Sequence, residues 1–251
     1  MIDGLLIERE DGILRLTFDR PDALNALTDD MVLAATEAIE QCDGRAIVIT
    51  GNGRAFCTGA DVNGLDPSTV GLAVDAASRL IRAIVSSPQP VVAAVNGPAA
   101  GLGCSIAVAC DFAIAHESAY FLLSFANIGL MPDGGATEIV AASIGRARAL
   151  RMGMLGERLQ APIAAEIGLI HQALGDGAYE DEVSALVTKL ATGATLSYGR
   201  TKAAVNASTL RDLEGAFARE REGQIELMES VDWVEGATAF LQKRQPDFTG
   251  K

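Results

Sequence analysis

Short apolar segments of strand length alternate with longer amphipathic segments in the first half of the chain. We predict strands over residues 5–9, 13–19, 46–50, 91–95 and 112–115, and helices over residues 28–42, 69–86 and 104–110. Thr28 is placed to cap the first helix, and Pro88 and Pro90 end the second. A unit of strand, glycine turn, helix and strand occurs at least twice, which indicates an α/β fold with ligand chemistry at the turns.

The pattern becomes helical from about residue 179 to the end of the chain. Residues 232–243 are amphipathic, and one stripe of this segment carries Trp233, Ala237, Phe240 and Leu241. We expect this stripe to pack against the body of the protein or against another subunit. The predicted organisation is an α/β core over residues 1–195, followed by a helical C-terminal region over residues 196–251.

Composition and charge exclude several classes of protein. The chain has 251 residues, of which 49% are hydrophobic, so it is neither disordered nor collagen-like. Its net charge of −13 disfavours nucleic acid and anionic membrane surfaces as partners. No apolar run approaches the roughly 18 residues that span a bilayer, and no signal peptide is visible. The four cysteines lack C-x-x-C spacing, which predicts reduced thiols, a cytoplasmic location and no metal site.

Several common catalytic and cofactor motifs are absent. The glycine turn at residues 96–103 is not a dinucleotide fingerprint, because Ile106 stands where the third glycine belongs. The chain has no P-loop, and Ser105 does not stand in a G-x-S-x-G nucleophile elbow. His116 and His171 lack a recognisable partner motif, so a Ser–His hydrolase is disfavoured.

Two glycine turns remain as candidate chemistry, at residues 51–61 and 96–103. Each follows a predicted strand, and glycines there leave backbone N–H groups free around a pocket. Two such amides directed at one point form an oxyanion hole.

These turns and three other segments resemble the enoyl-CoA hydratase/isomerase (crotonase) family. The resemblance lies in residues 20–28, 55–61, 96–104, 128–135 and 235–244, which are distributed along nearly the whole chain in the right order. It implies a spiral of ββα turns closed by a helical trimerisation region, and a homotrimer or hexamer. It also implies an acyl-CoA substrate and no permanently bound cofactor, since coenzyme A enters as part of the thioester.

The resemblance also implies roles for individual residues. The backbone amides of Ala60 and Leu102 would stabilise the thioester enolate. The residues expected to contact coenzyme A are Leu24, Arg54, Ala60, Phe240 and Lys243, the last two commonly in a neighbouring subunit. Asp22 stands where hydratases commonly carry a lysine, so that phosphate contact is not expected here.

The acid–base residues depart from the hydratase pattern. Ser105 and Phe125 occupy the positions of the two hydratase glutamates, and neither is a ready general base. Asp133, in Pro-Asp-Gly-Gly, resembles the aspartate of isomerase-type members, where one carboxylate moves a proton between two carbons. The expected function is therefore Δ3 to Δ2 isomerisation of an enoyl-CoA. The alternatives are a hydratase with other acid–base groups, an inactive acyl-CoA-binding protein, and an Asp133 that only caps a helix.

Overall fold

A computed structural model describes residues 2–61 and 68–251, and these residues form two sheets surrounded by helices. The strands are β1 Leu5–Glu10, β2 Ile13–Phe18, β3 Ala46–Gly51, β4 Val91–Val95, β5 Ala99–Ala100, β6 Phe112–His116, β7 Tyr120–Leu122, β8 Leu159–Gln160 and β9 Gln172–Leu174. The larger sheet has the order β1-β2-β3-β4-β6-β9 and is parallel except for the β1–β2 pair. The smaller sheet has the order β5-β7-β8.

Helices cover the large sheet and form the C-terminal region. They are α1 Asp29–Glu40, α2 Val70–Ser86, α3 Leu102–Ala109, α4 Ala136–Ile144, α5 Arg146–Leu155, α6 Ala161–Glu166, α7 Ala178–Thr192, α8 Thr195–Thr209, α9 Leu213–Met228 and α10 Val231–Leu241. Among the described residues, no helix is both long enough and apolar enough to cross a bilayer.

The predicted strands and helices of the first half are confirmed, with ends that shift by one to two residues. The Thr28 hydroxyl accepts a hydrogen bond from the Met31 N–H, so Thr28 caps α1 as expected. All five residues of β4 are buried, because helices cover both faces of this parallel sheet. The α/β class follows from this arrangement, and the glycine turns lie beyond the carboxyl ends of β3 and β4.

The C-terminal helices differ in how they contact the core. Helix α9 packs against α2 and α4, and α10 packs against the 3-10 segment Ser124–Ile128. None of the residues of α8 is buried. The predicted helical region is therefore present, although its helices begin with α7, before residue 196.

Within one chain, only part of the predicted apolar stripe of α10 packs against the body of the protein. Trp233 is buried, but Phe240 and Leu241 are 56% and 60% exposed. The buried face is offset because Gly236 approaches Ile128 closely, and a Cβ there would lie 2.5 Å from the Ile128 carbonyl carbon. A glycine adds no apolar side chain to the pattern, so the sequence does not show that Gly236 lies on the buried face of α10.

Candidate active site

The two glycine turns lie side by side. The Ala100 N–H donates to the Cys57 carbonyl at 2.8 Å, which joins β5 to the first turn. Gly59 has a φ of +95°, and a Cβ on it would lie 3.1 Å from the Leu102 nitrogen. Glycine at this position therefore permits both the backbone conformation and the close approach of the turns.

Ala60 and Leu102 present free N–H groups at this junction. The Leu27 N–H donates to the Gly59 carbonyl, and the Asp61 N–H donates to the Leu27 carbonyl. This pairing directs the Ala60 N–H away from Leu27. Leu102 is the first residue of α3, where N–H groups have no partner inside the helix. Within the described chain neither N–H has a hydrogen-bond acceptor, so both can donate to a bound anionic oxygen.

Asp133 lies on the loop between the 3-10 segment and α4, against the first turn of α3. Its neighbour Gly134 has a φ of +65°, and a Cβ there would lie 2.9 Å from a Leu102 methyl carbon. The Ser105 hydroxyl donates to the Asp133 backbone carbonyl at 2.9 Å. The packing therefore brings Asp133 beside the turn that carries the free Leu102 amide.

The two oxygens of the Asp133 carboxyl have different surroundings. Oδ2 accepts a hydrogen bond of 2.9 Å from Gln224 Nε2, whereas Oδ1 is buried without a partner among the described residues. Burial raises the pKa of Asp133 to about 7, the Gln224 hydrogen bond opposes this rise, and the nearby Glu220 charge adds to it. A carboxyl with this pKa can both accept and return a proton near neutral pH.

Glu220 caps α4, so the alternative in which Asp133 only caps this helix is wrong. The Glu220 carboxylate accepts from the Gly135 N–H at 2.7 Å and from the Thr137 N–H at 3.0 Å. It also accepts from the Thr137 hydroxyl at 2.5 Å. Among the described residues, Asp133 meets the start of α4 only through its backbone carbonyl, which faces the Ala136 N–H at 3.4 Å. The Asp133 carboxyl therefore has no capping function.

Gln224 and Glu220 were not found by sequence reasoning. Both lie on α9, and 91 and 85 residues separate them from their partners Asp133 and Gly135. Their spacing of four residues places both on one face of α9. That spacing alone does not distinguish them from the other polar residues of this helix.

Leu24 and Arg54 lie at the first glycine turn, as the resemblance implied. Leu24 has a left-handed conformation, and its carbonyl accepts from the Thr58 hydroxyl at 3.2 Å. The buried Asn25 amide donates to the Ala55 carbonyl at 2.7 Å and so holds this segment against the turn. Arg54 is exposed in the same turn. The structure thus gathers Leu24, Arg54 and the Ala60 amide in one region.

Phe240 and Lys243 lie at the end of α10, away from this group. Helix α10 contacts the 3-10 segment and α9, and the Phe240 side chain is 56% exposed. In the described part of the chain, no hydrogen bond or ion pair joins Lys243 to Leu24 or Arg54. Their contact with coenzyme A, expected through a neighbouring subunit, stays a prediction.

Ser105 and Phe125 offer no substitute for the two hydratase glutamates. Ser105 is fully buried, and its hydroxyl is committed to the Asp133 carbonyl. Phe125 is 8% exposed and belongs to the apolar core. Residues 2–61 and 68–251 contain no group of three His, Cys, Asp or Glu side chains that could hold a metal ion. Asp133 is thus an ionisable residue on the loop that packs against Leu102 and Ser105 of α3.

Two large cavities lie elsewhere in the molecule. Cavities of about 660 and 840 Å³ flank α8, and Asp133, Ala60 and Leu102 line neither of them. No whole residue of α8 is buried, although the Lys202 side chain reaches the core and pairs with Asp111 at 2.8 Å. The two cavities are separate from the candidate site.

Comparison with known proteins identifies relatives along the whole chain. The family model for enoyl-CoA hydratase/isomerase matches residues 8–251. A probable enoyl-CoA hydratase of Rhodobacter capsulatus is 41% identical, over 97% of this chain and 97% of that protein. The 1,2-epoxyphenylacetyl-CoA isomerase of Escherichia coli is 37% identical over the full length of both chains.

Solved structures agree with the sequence relatives. The crystal structure of an enoyl-CoA hydratase from Mycobacterium avium subsp. paratuberculosis superposes with a TM-score of 0.93. The two proteins are 43% identical, and the match covers 99% of this chain and 100% of that one. The fold is therefore crotonase-like, and the chain belongs to the enoyl-CoA hydratase/isomerase family of enzymes that act on CoA thioesters.

Proposed function

We propose that the protein isomerises an enoyl-CoA from the Δ3 to the Δ2 form, with Asp133 as the single acid–base group. The observation that carries this proposal is the Asp133 carboxyl itself, which is buried beside α3, has one oxygen without a partner and has its pKa raised to about 7. The relative named as a 1,2-epoxyphenylacetyl-CoA isomerase supports an isomerase.

The proposed reaction needs one base and one oxyanion hole. Asp133 removes a proton from C2 of the 3-enoyl thioester, and the electron pair moves onto the thioester oxygen to give a dienolate. The N–H groups of Ala60 and Leu102 donate to that oxygen. Asp133 then returns its proton to C4, the double bond forms between C2 and C3, and the carboxylate is regenerated.

A hydratase is the second candidate, because the relative from Rhodobacter capsulatus is named a probable enoyl-CoA hydratase. Adding water requires one group that activates the water and one that protonates the α-carbon. Ser105 and Phe125 supply neither group. An assay of 2-enoyl, 3-enoyl and aryl acyl-CoA thioesters for water addition and double-bond shift separates these functions.

Proton exchange tests the proposal most directly. In deuterated water, an isomerase whose Asp133 proton exchanges with solvent incorporates deuterium at C2 of the substrate or at C4 of the product, whereas a protein that only binds acyl-CoA incorporates none. Exchange together with a double-bond shift supports the proposal. Water addition without a double-bond shift, or neither exchange nor a double-bond shift with any thioester of the panel, contradicts it.

Arg54→Gln is expected to weaken acyl-CoA binding by about two- to fivefold, because one exposed cation contributes modestly to phosphate binding. The effect should decrease with added salt, since the charge is screened. Calorimetry with one acyl-CoA at two salt concentrations measures both effects. Arg148→Gln, at an exposed arginine of α5, is the matched control. Equal affinities of the two variants would remove Arg54 from the binding site.

We expect the protein to form a trimer or hexamer. The exposed apolar side chains of α10, namely Val231, Val234, Phe240 and Leu241, are 56–62% exposed in the single chain. An apolar surface of this kind is commonly covered by a partner. Light scattering should give about three or six times the mass of one chain. A monomer at micromolar concentration would contradict this prediction.

A further inference from the structure

Gln224 joins the Asp133 loop to α9 through two hydrogen bonds. Its Nε2 donates to the Met131 carbonyl and to Asp133 Oδ2, both at 2.9 Å. A peptide carbonyl can only accept, so the Met131 carbonyl requires the amide nitrogen, and not the amide oxygen, to face the loop. The direction of donation to Asp133 is therefore determined by the backbone.

This arrangement makes the two carboxyl oxygens of Asp133 inequivalent. Oδ2 is engaged by Gln224, while Oδ1 has no partner among the described residues. The Gln224 Oε1 atom is likewise buried without a partner within the described chain. Leaving two buried acceptors unpaired costs free energy, which a purely structural contact has no reason to retain.

We propose that Gln224 is a positioning residue, which holds Oδ2 of Asp133 so that Oδ1 is the oxygen that exchanges a proton with the substrate. The inference rests on the proposed function of Asp133. Donation from the amide stabilises the carboxylate form, which is the form that acts as a base. Gln224 thus sets both the orientation and the proton affinity of the base.

Gln224 and Glu220 are the two polar groups that shift the pKa of Asp133. Helix α3 and the 3-10 segment carry no charged side chain, and burial raises the pKa of the Cys104 thiol on α3 to about 12. Glu220 is the charged group that acts on Asp133. The remaining charged groups of α2, α4, α5 and α9 are exposed or half-buried, several in ion pairs: Arg79 with Glu40, Arg82 with Glu214, Arg151 with Glu157, Arg219 with Asp212, and Arg221 with Asp75.

Gln224→Met tests the proposal, because methionine keeps the length of the side chain and removes the donor. We expect the acidic limb of the pH–rate profile to move upward by about one pH unit, the effect of losing a hydrogen bond to a charged group. The isomerisation rate should then be about tenfold below wild type near pH 6 and within about twofold near pH 9.

A titration of Asp133 provides a readout that does not depend on turnover. Isotope labelling of the aspartate side-chain carboxyl carbons allows NMR titration of the intact protein, and the Asp133 signal is assigned by its loss in Asp133→Asn. The midpoint should move upward in Gln224→Met. The midpoint should also move upward in Gln224→Glu, which adds a negative charge at the same place. This second variant replaces Gln224→Met in the test if the methionine variant does not fold. Met228→Leu, one turn along α9, is the control and should leave the midpoint unchanged.

The outcomes separate the two proposals. If Gln224→Met lowers the rate by the same factor at every pH and the Asp133 midpoint does not move, Gln224 only connects α9 to the loop and the inference is wrong. An unchanged midpoint in Gln224→Glu leads to the same conclusion. If the wild type shows no isomerase activity, the proposed function fails, while the titration still decides whether Gln224 controls the proton affinity of Asp133.

Discussion

Asp133→Asn is expected to lower the rate of Δ3 to Δ2 conversion by about 10²–10⁴, the usual cost of losing a positioned general base. The proposed oxyanion hole at Ala60 and Leu102 would still acidify the proton next to the thioester, but the variant would lack the proposed base that removes this proton. Coenzyme A binding should persist, since its expected contacts lie at Leu24 and Arg54. Deuterium exchange and isomerase assays, with calorimetry for affinity, measure these effects.

The same substitution should not destabilise the fold. Glu220 caps α4, so no cap is lost, and the new amide can pair reciprocally with Gln224. The pKa of Asp133 is raised from 3.8 to about 7 by burial, so the native wild type binds a proton more tightly than the unfolded chain. The contribution of Asp133 to wild-type stability therefore falls as the pH rises from about 4 to about 7, and the variant should lack this loss.

Urea unfolding at several pH values checks this expectation. Above about pH 7 the variant should be at least as stable as the wild type. Its free energy of unfolding should be higher by up to about 4 kcal/mol, because it no longer buries a charged carboxylate. Asp3→Asn, at an exposed aspartate outside the candidate site, is the matched control and should change neither activity nor stability. If Asp133→Asn retains wild-type turnover, the base must be sought elsewhere.

Glu220→Ala should lower the free energy of unfolding by about 3–5 kcal/mol, because three donors lose a buried acceptor. These donors are the N–H groups of Gly135 and Thr137 and the Thr137 hydroxyl. The start of α4 would lose these hydrogen bonds to α9, while Gln224 would still join the Asp133 loop to that helix. Thermal unfolding should therefore begin about 10 °C lower than in wild type.

Glu222→Ala provides the control for this experiment, because Glu222 is an exposed glutamate on the same helix. It should change the free energy of unfolding by less than about 0.5 kcal/mol. A loss below about 1 kcal/mol in Glu220→Ala would show that other donors and acceptors replace this cap.

Local sequence was sufficient to predict five of the nine strands that the structure describes, the first three helices and the two glycine turns, but not the short strands β5, β7, β8 and β9. The reason is that each of these elements depends on residues that are neighbours in the sequence. Examples are the apolar residues of β4, the Thr28 hydroxyl that caps α1, and Gly59, which permits a positive φ. The family resemblance rests on short sequence motifs, and these motifs also predicted the crotonase-like fold.

The environment of Asp133 could not be predicted in this way. Aspartate before two glycines is a common helix cap, and only the packing of α9 shows that Glu220 has taken this role. The partner of its carboxyl, Gln224, is 91 residues away, and its raised pKa depends on burial by elements distant in the chain. Proton affinity is determined by what surrounds a group in space, so three-dimensional packing alone distinguishes a candidate base from a cap.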